Sequence, residues 1–265
     1  MSTIQVAYPK AVSRADWLAA RKKLLSKEKE LTHLRDALSA ERRQLPWVKV
    51  EKDYVFDSPG GKKTFAALFD GRSQLVVYHF MFGPDWKEGC PSCSMAADHF
   101  DGSILHLAQR DVTLIAISRA PLPQIEAFQK RMGWRFQWVS SYANDFNRDY
   151  RVSFKKDEVA KGNIYNFDTT GFPSDEAPGL SVFHKDAASN IFHTYSTYGR
   201  GLEELLGPYT FLDRVPKGRD ESAMSPHPMA WVRHHDRYSP NYFAEPAESA
   251  ARANSSAAGC CAEHS

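Results

Sequence analysis

Two cysteines, Cys90 and Cys93, stand where an apolar run gives way to an amphipathic segment. The run at residues 75–82 predicts a buried strand, residues 83–89 a polar loop, and residues 90–109 a helix that begins at the cysteines. A Cys-x-x-Cys pair inside a β-α-β pattern is typical of a redox dithiol. The motif alone is common. Here, however, it lies at the junction of a predicted strand, a loop and a helix, and this position indicates a fold of the α/β class.

Strands and helices continue to alternate after the dithiol. A strand is predicted at 112–118, a helix at about 123–132 and a strand at 136–141. Apolar strands separated by helices predict a largely parallel sheet that is covered on both faces. Residues 144–174 lose this pattern and predict a long insertion, whereas 180–184 and 191–195 predict a β-hairpin. We therefore expect a central mixed sheet flanked by helices, with an insertion before the final hairpin.

The N-terminal segment predicts one long helix over residues 14–43. Ser13 is a candidate N-cap, with Asp16 three residues later. Apolar residues recur every seven positions, at Trp17, Leu24, Leu31, Leu38 and Leu45. Such a heptad can indicate a coiled-coil partner, but the intermediate positions 20, 27 and 41 are not uniformly apolar. We favour an amphipathic helix that lies on its own domain or on a second subunit, so a homodimer is one expectation.

Composition excludes several classes of partner. The chain of 265 residues has 34 basic and 32 acidic residues and a net charge of +2, which gives no reason to expect nucleic acid. No window approaches the ~18 apolar residues of a membrane span, and the first residues lack an apolar leader, so we expect no membrane and a cytoplasmic location. The predicted division is a helical extension at 1–46, a domain at 47–243 and a disordered tail at 244–265.

The dithiol predicts a division of labour between its cysteines. Cys90 would lie at the first turn of the helix, where unpaired N–H groups and the helix dipole lower the pKa of a thiol. Pro91 would stand just inside the helix, where its missing N–H costs nothing. Cys93, one turn deeper, can close a small ring with Cys90. Cys90 is therefore the expected attacking thiol and Cys93 the resolving thiol.

Zinc is the structural alternative for the same cysteines. A tetrahedral zinc site needs four ligands, and the other two cysteines, Cys260 and Cys261, are adjacent to each other in the tail. We expect no metal and no cofactor, and we interpret the tail pair as incidental rather than as a second exchange dithiol. The expected partners are a protein or small-molecule disulfide or thiol substrate and an electron donor that the sequence does not identify.

Several phrases of the sequence resemble an uncharacterised bacterial family, domain of unknown function 899, which is thioredoxin-like. The resemblance spans nearly the whole chain apart from the tail, and the order of elements over 47–206 is similar to that of thioredoxins. The phrases are RRQLPWV at 42–48, QLVVYHFMF at 74–82, GCPSCS at 89–94, SRAP at 118–121, RMGW at 131–134 and HDRY at 235–238. The resemblance implies a thioredoxin-like fold.

The resemblance also implies roles for three further residues. Thioredoxins place a cis-proline before the strand that faces the dithiol, and Pro178 stands at the matching place; an ordinary trans proline is the open alternative. They often bury a carboxylate on the central strand, where this chain has His79. That histidine could accept the proton of Cys93 or be a satisfied core residue. Trp86 precedes the cysteines, as an aromatic residue does in thioredoxins.

Two other functions compete with a disulfide oxidoreductase. A thiol peroxidase of the peroxiredoxin type would use Cys90 to reduce a peroxide, but Lys87 occupies the place where peroxiredoxins have Thr or Ser. A non-catalytic thioredoxin-fold binding module would use the 144–174 insertion and the C-terminal aromatic residues. Hydrolase chemistry from residues 234–236 is disfavoured, because no nucleophile elbow surrounds a serine, and we expect a solvated or structural role there.

Overall fold

The dithiol follows a strand of one central β-sheet, and the sheet determines its position. In the computed structural model, which describes residues 9–168 and 171–239, eight strands form one sheet in the order β1-β8-β7-β4-β5-β6-β2-β3. The strands are β1 (Val48–Lys49), β2 (Val55–Ser58), β3 (Gly61–Thr64), β4 (Gln74–His79), β5 (Val112–Ser118), β6 (Gln137–Ser140), β7 (Gly179–Lys185) and β8 (Ile191–Tyr198).

Seven α-helices accompany the sheet in the described residues. They are α1 (Arg14–Arg42), α2 (Pro91–Phe100), α3 (Ile104–Ala108), α4 (Leu122–Met132), α5 (Phe146–Asp149), α6 (Lys156–Lys161) and α7 (Gly207–Leu212). Short 3-10 turns occupy Ala66–Phe69, Asp101–Ser103, Gly199–Leu205 and His235–Arg237. No helix within residues 9–168 or 171–239 combines the length and the apolar character that crossing a membrane requires.

The sheet is mixed, as expected, but less parallel than the alternation suggested. Among neighbouring strands, only the β4–β5 and β5–β6 pairs are parallel. β7 pairs antiparallel with β4. β8 pairs antiparallel with β7, because a hairpin turn reverses the chain between them. This arrangement, with the strand before the dithiol at the centre, confirms the thioredoxin-like fold.

The two faces of β4 contact different cores. Alternate side chains of a strand point to opposite faces of its sheet. Tyr78 and Phe80 join the cluster that contains Cys93 and α2, whereas Leu75 and Val77 join a second cluster, which includes Phe146 of α5. The dithiol therefore lies over one face of β4 only.

The long N-terminal helix is present but does not lie on the domain. Ser13 caps α1 as predicted, with its hydroxyl oxygen accepting from the N–H of Asp16. No residue of α1 is buried. At its C-terminal end, the Arg42 guanidinium lies 5.5 Å from the centre of the Tyr195 ring. The expectation that the helix packs on its own domain is wrong, because its apolar residues remain exposed.

Three local expectations also change. The predicted helix at 90–109 is broken at Asp101–Ser103, where Gly102 weakens the helix. β3 was not expected, because its sequence Gly-Lys-Lys-Thr is polar; it is an edge strand paired only with β2. The insertion contributes to the core, since Phe146 is fully buried. The predicted tail at 244–265, with Cys260 and Cys261, lies outside the described residues.

Candidate functional site

Cys90 is placed by the end of β4 and the start of α2. The chain leaves β4 and returns so that the N–H of Cys90 donates to the carbonyl of Met81 at 3.0 Å. Cys90 is the N-cap of α2, and Pro91 is its first residue, as predicted. The N–H of Ser94 then closes the first turn on the carbonyl of Cys90 at 2.9 Å. The first turn of α2 therefore presents its free N–H groups to the Cys90 sulfur.

Cys90 is the more acidic thiol of the pair. It is partly exposed, and its pKa is lowered to about 7. The main cause is a hydrogen bond from the Cys93 side chain, followed by bonds from the backbone N–H groups of Cys93 and Ser92 and from the Ser92 hydroxyl, which together outweigh burial. A larger fraction of Cys90 than of an ordinary thiol is therefore thiolate at neutral pH.

Cys93 has the opposite character. It is buried, and burial together with the neighbouring Cys90 raises the pKa of its thiol well above the ordinary value. Hydrogen bonds from the Tyr78 hydroxyl and the Met81 backbone oppose that rise only in part. Cys93 therefore keeps its proton while Cys90 is the thiolate.

Tyr78 is a site residue that the sequence reasoning missed. Its side chain is buried in the cluster with Cys93, and burial is the main cause that raises the pKa of its hydroxyl, with Cys93 as the next cause. The hydroxyl therefore stays protonated, and its interaction with Cys93 favours the thiolate form of that cysteine. The signal was present in the alternation of β4, which places residues 78 and 80 on the face opposite to residues 75, 77 and 79.

His79 does not lie beneath the dithiol, and the role predicted for it beside Cys93 is wrong. Its ring stacks on Phe146 on the other face of the sheet, with centroids 5.7 Å apart. Its Nε2 pairs with the Ser181 hydroxyl at 2.8 Å. Burial lowers its pKa to about 3, so His79 is a neutral core histidine. It differs from the satisfied core residue that the sequence left open, because its buried Nδ1 has no hydrogen-bond partner among the described residues.

Pro178 stands directly before β7, as the resemblance implied. The peptide that precedes it is not cis, because Ser225–Pro226 is the only cis peptide among the described residues. The cis prediction is therefore wrong for this structure. The Pro178 carbonyl accepts a hydrogen bond from the Tyr165 hydroxyl at 2.6 Å. Burial raises the pKa of the Tyr165 hydroxyl, and a negative charge on Cys93 raises it further.

Trp86 and Glu176 enclose the loop that leads to Cys90. A Cβ added to Gly83 would lie 2.9 Å from the Trp86 ring and 3.3 Å from the Glu176 side chain. Trp86 packs against the cluster that holds Cys93. Glu176 is buried and lies 3.3 Å from the Arg119 guanidinium. Burial raises its pKa to about 7 despite the Ser153 hydroxyl and Arg119, which both favour the charged form.

Residues of the C-terminal segment at 234–236 also bind the loop before Cys90. The buried His234 lies with Nε2 2.8 Å from the Gly89 carbonyl oxygen and Nδ1 2.8 Å from the Arg131 guanidinium. Because a carbonyl can only accept and a guanidinium can only donate, His234 is neutral with its proton on Nε2. Arg131 also pairs with Glu88 at 2.6 Å. Residues 234–236 are thus structural, and the residues beside Cys90 are held by a segment far away in the sequence.

The site shows no second set of ligands around the cysteines. Among the residues that the structure describes, no group of three or more His, Cys, Asp or Glu side chains could hold a metal ion. Cys90 and Cys93 are both free thiols, set three residues apart at the start of α2.

The family comparison agrees with the sequence resemblance. No curated protein matches the chain. Among solved structures, peroxidoxin BcpB from Mycobacterium tuberculosis is 12% identical with a TM-score of 0.41, covering 62% of this chain and 94% of its own. Peroxiredoxin Q from Xanthomonas campestris is 15% identical with a TM-score of 0.40, covering 58% of this chain and 87% of its own. Residues 6–238 match the family described as "Bacterial protein of unknown function (DUF899)", and the chain belongs to that family.

Proposed function

We propose that this DUF899 protein is a thiol-disulfide oxidoreductase in which Cys90 attacks and Cys93 resolves. The observation that carries the proposal is the contrast between the two thiols. Cys90 is partly exposed at a helix N-cap with its pKa lowered to about 7, while Cys93 is buried with its pKa raised. One thiolate is ready to react with a substrate, and a second, protonated thiol lies beside it.

In the first step, the Cys90 thiolate attacks one sulfur of a substrate disulfide. A bond forms between Cys90 Sγ and that sulfur, the substrate disulfide bond breaks, and the first substrate thiolate leaves. The hydrogen bonds that stabilise the Cys90 thiolate before attack come from Cys93 and from the N-terminal turn of α2. When the mixed disulfide forms, the Cys90 sulfur loses its negative charge, and its hydrogen bonds to these donors become weaker.

In the second step, Cys93 attacks Cys90. Its pKa is no longer raised by a neighbouring thiolate once Cys90 is in the mixed disulfide, so deprotonation becomes easier. The Tyr78 hydroxyl donates to the sulfur and stabilises the developing thiolate. A Cys90–Cys93 bond forms, the mixed disulfide breaks, and the second substrate thiolate leaves and takes up the proton that Cys93 releases. The substrate gains two electrons and the dithiol loses two.

The cycle closes when an external thiol reductant returns two electrons to the Cys90–Cys93 disulfide. We place this chemistry in the cytoplasm, where thiols are kept reduced, and assign its substrate to the disulfide class, either a protein or a small molecule. With a reductant of low potential the chain acts as a reductase, whereas with a strong oxidant the same steps run in reverse.

A trapping experiment tests the proposal. The purified chain is mixed with oxidised glutathione, and released thiol and protein adducts are followed by mass spectrometry. In a chain that carries Cys260→Ser and Cys261→Ser, we expect two glutathione thiols per chain and a Cys90–Cys93 disulfide, and no reaction when Cys90→Ser is added. Cys93→Ser should stop at a stable Cys90–glutathione adduct with one thiol released. A Cys90→Ser protein that reacts as the wild type does would contradict the proposal.

Peroxide distinguishes the competing enzyme. A thiol peroxidase would turn over hydroperoxide through a sulfenic acid on Cys90 and would exceed its rate with disulfides by orders of magnitude. The exposed Lys87, three residues before Cys90, offers no hydroxyl to the peroxide. We therefore expect slow peroxide consumption, at the rate of a thiolate that has no hydroxyl group beside it to activate the peroxide. A binding module would show neither reaction.

A further inference from the structure

We propose that α1 pairs with α1 of a second copy of this chain as a parallel, in-register coiled coil. The helix is 29 residues long, and none of its residues is buried. A helix of that length extends about 44 Å. Helices in proteins gain most of their stability when an apolar face packs against another part of the structure. The apolar side chains of α1 do not pack against its own domain.

Most of the exposed large apolar residues of α1 follow a heptad, and Leu18 and Leu25, which lie one residue after it, widen the apolar stripe. Trp17, Leu24, Leu31 and Leu38 take one seam position, and Leu34 adds a residue at the second; their exposed fractions run from 44% to 64%. A seven-residue apolar repeat keeps one stripe facing a partner helix over several turns. Lys27 and Glu41 occupy two places at the second seam position, which weakens the seam without removing the stripe.

The charges beside the stripe identify the partner as a second copy. In heptad notation, residues 17, 24, 31 and 38 are a positions, so each g residue stands directly before one of them. In a parallel pair, a g residue meets the e residue of the partner that lies five places later in the sequence. Asp16 then meets the partner's Arg21, Lys23 the partner's Glu28, and Glu30 the partner's Arg35. All three pairs are attractive, and two-fold symmetry doubles them to six.

The same charges disfavour an antiparallel pair. If two copies of α1 overlapped fully in opposite directions, Glu28 would face the partner's Glu28, and Arg21 would face the partner's Arg35. Both contacts are repulsive. In the single chain, Arg21 pairs with Glu28 at 2.7 Å, and both side chains are partly exposed and can exchange this contact for the partner's charges. The parallel pair also has like charges in contact, because Lys27 and Glu41 each meet their own copy in the seam. The six flanking attractions favour the parallel, in-register pair over the antiparallel one.

The area is sufficient for a specific but reversible dimer. A contact strip about 44 Å long and about 11 Å wide covers roughly 500 Å² on each helix. The total of about 1,000 Å² is near the lower bound of specific protein–protein interfaces. The dimer should therefore dissociate on dilution, and its two domains should stand at the same end of the paired helices.

Analytical ultracentrifugation of the full chain tests the pairing. We expect the wild type to approach twice the chain mass as concentration rises. Leu24→Glu/Leu31→Glu places charges in the seam and should be monomeric at every concentration. A monomeric wild type overturns the proposal, as does a dimer that survives this double substitution. A monomer that binds vesicles of anionic lipid would assign the stripe to a membrane surface instead.

A charge swap tests the register. Glu30→Arg should weaken the dimer roughly tenfold, because it turns two symmetric attractions into repulsions. Arg35→Glu should do the same, and the double swap Glu30→Arg/Arg35→Glu should restore the wild-type dissociation constant. Residues five apart do not face each other on one helix, so restoration cannot arise within a chain. Asp36→Arg, on the outer face, is the matched control. Absence of restoration overturns the register.

A cysteine cross-link tests the direction. Ala20 lies at the second seam position, so two copies of Ala20→Cys should form an intermolecular disulfide in a parallel pair. Lys22→Cys on the outer face is the control and should not cross-link. In an antiparallel pair that keeps the apolar seam in contact, residue 20 faces the partner's Leu38, and a 20–20 link would be absent. The dimer does not depend on the redox chemistry proposed above, so either can fail alone.

Discussion

Tyr78 and His79 are neighbours on β4, but only Tyr78 shares the buried cluster of Cys93, because the two side chains lie on opposite faces of the sheet. This arrangement gives a matched pair of substitutions. Tyr78→Phe should slow resolution of a Cys90 mixed disulfide about fivefold, since the developing Cys93 thiolate loses one hydrogen bond worth about 1 kcal/mol. Stopped-flow measurement of thiol release separates this step from the initial attack, which should be unchanged.

His79→Gln serves as the control for that measurement. It should lower the melting temperature, because a fully buried ring is replaced and its contact with Ser181 changes. The rate of resolution should equal that of the wild type. Slow resolution in His79→Gln together with a normal rate in Tyr78→Phe would contradict the placement of the two residues.

The bond between His234 and the Gly89 carbonyl predicts a link between the C-terminal segment and Cys90. His234→Ala leaves that buried carbonyl and the Arg131 guanidinium short of a partner, which should cost about 1–3 kcal/mol of unfolding free energy. The loop before Cys90 should also loosen, and the midpoint of Cys90 alkylation with pH should rise above the value near 7.

His234→Gln tests whether the bond itself is responsible. The Gln side-chain N–H can reach the Gly89 carbonyl, so this variant should recover most of the alkylation midpoint. His33→Ala, on the exposed α1, should change neither stability nor midpoint. If His234→Ala alkylates as the wild type does, His234 does not position Cys90.

Gly89 is packed so closely that a side chain has no room. A Cβ there would lie 2.6 Å from the Phe80 ring and 2.8 Å from the Phe128 ring, both buried. Gly89→Ala should therefore destabilise the chain by about 1–3 kcal/mol through overpacking and displace Cys90. Gly60→Ala is the matched control, because no atom lies within 4 Å of its added Cβ. Urea unfolding of both variants measures the difference, and equal midpoints would contradict this packing.

Glu176 predicts a loss of stability as pH rises. Its pKa is raised from 4.5 to about 7, chiefly by burial. Between these values the unfolded chain has released the proton and the folded chain keeps it. The stabilising contribution is therefore fully present below pH 4.5 and is lost as pH passes 7. The shift corresponds to roughly 3 kcal/mol.

Glu176→Gln keeps the shape of the side chain and removes its titration. The unfolding free energy of this variant relative to the wild type should therefore increase between pH 5 and pH 8. Taking the difference between the two proteins cancels the other titrating groups. A difference that stays constant with pH would show that Glu176 is charged throughout, with Arg119 as its dominant partner.

Much of the site follows from local sequence patterns. The apolar run of β4, the polar loop and the proline after Cys90 each have a short-range physical cause, and the structure places Cys90 and Pro91 at the start of α2 as expected. The alternation of β4 also contained the choice between Tyr78 and His79. The thioredoxin resemblance favoured the wrong member because it matched residues by position along the strand and not by face.

Other features depend on contacts between distant parts of the chain. The bond from His234 to Gly89 joins residues 145 apart, and no periodicity around either residue indicates it. Glu176 is buried because the loop after β5 supplies Arg119 and the insertion supplies Ser153. The exposure of α1 likewise could not be predicted, because an apolar heptad fits a helix on its own domain and a helix on a partner equally well.

The central claim is that Cys90 and Cys93 form one reversible dithiol–disulfide couple. The most direct measurement is alkylation mass spectrometry of the full chain, equilibrated in glutathione buffers of graded potential. We predict one two-electron transition in which the Cys90–Cys93 disulfide is replaced by two alkylated cysteines, with a midpoint that shifts with pH near the Cys90 pKa of about 7. If no Cys90–Cys93 disulfide forms at any potential, the chain is not a dithiol oxidoreductase.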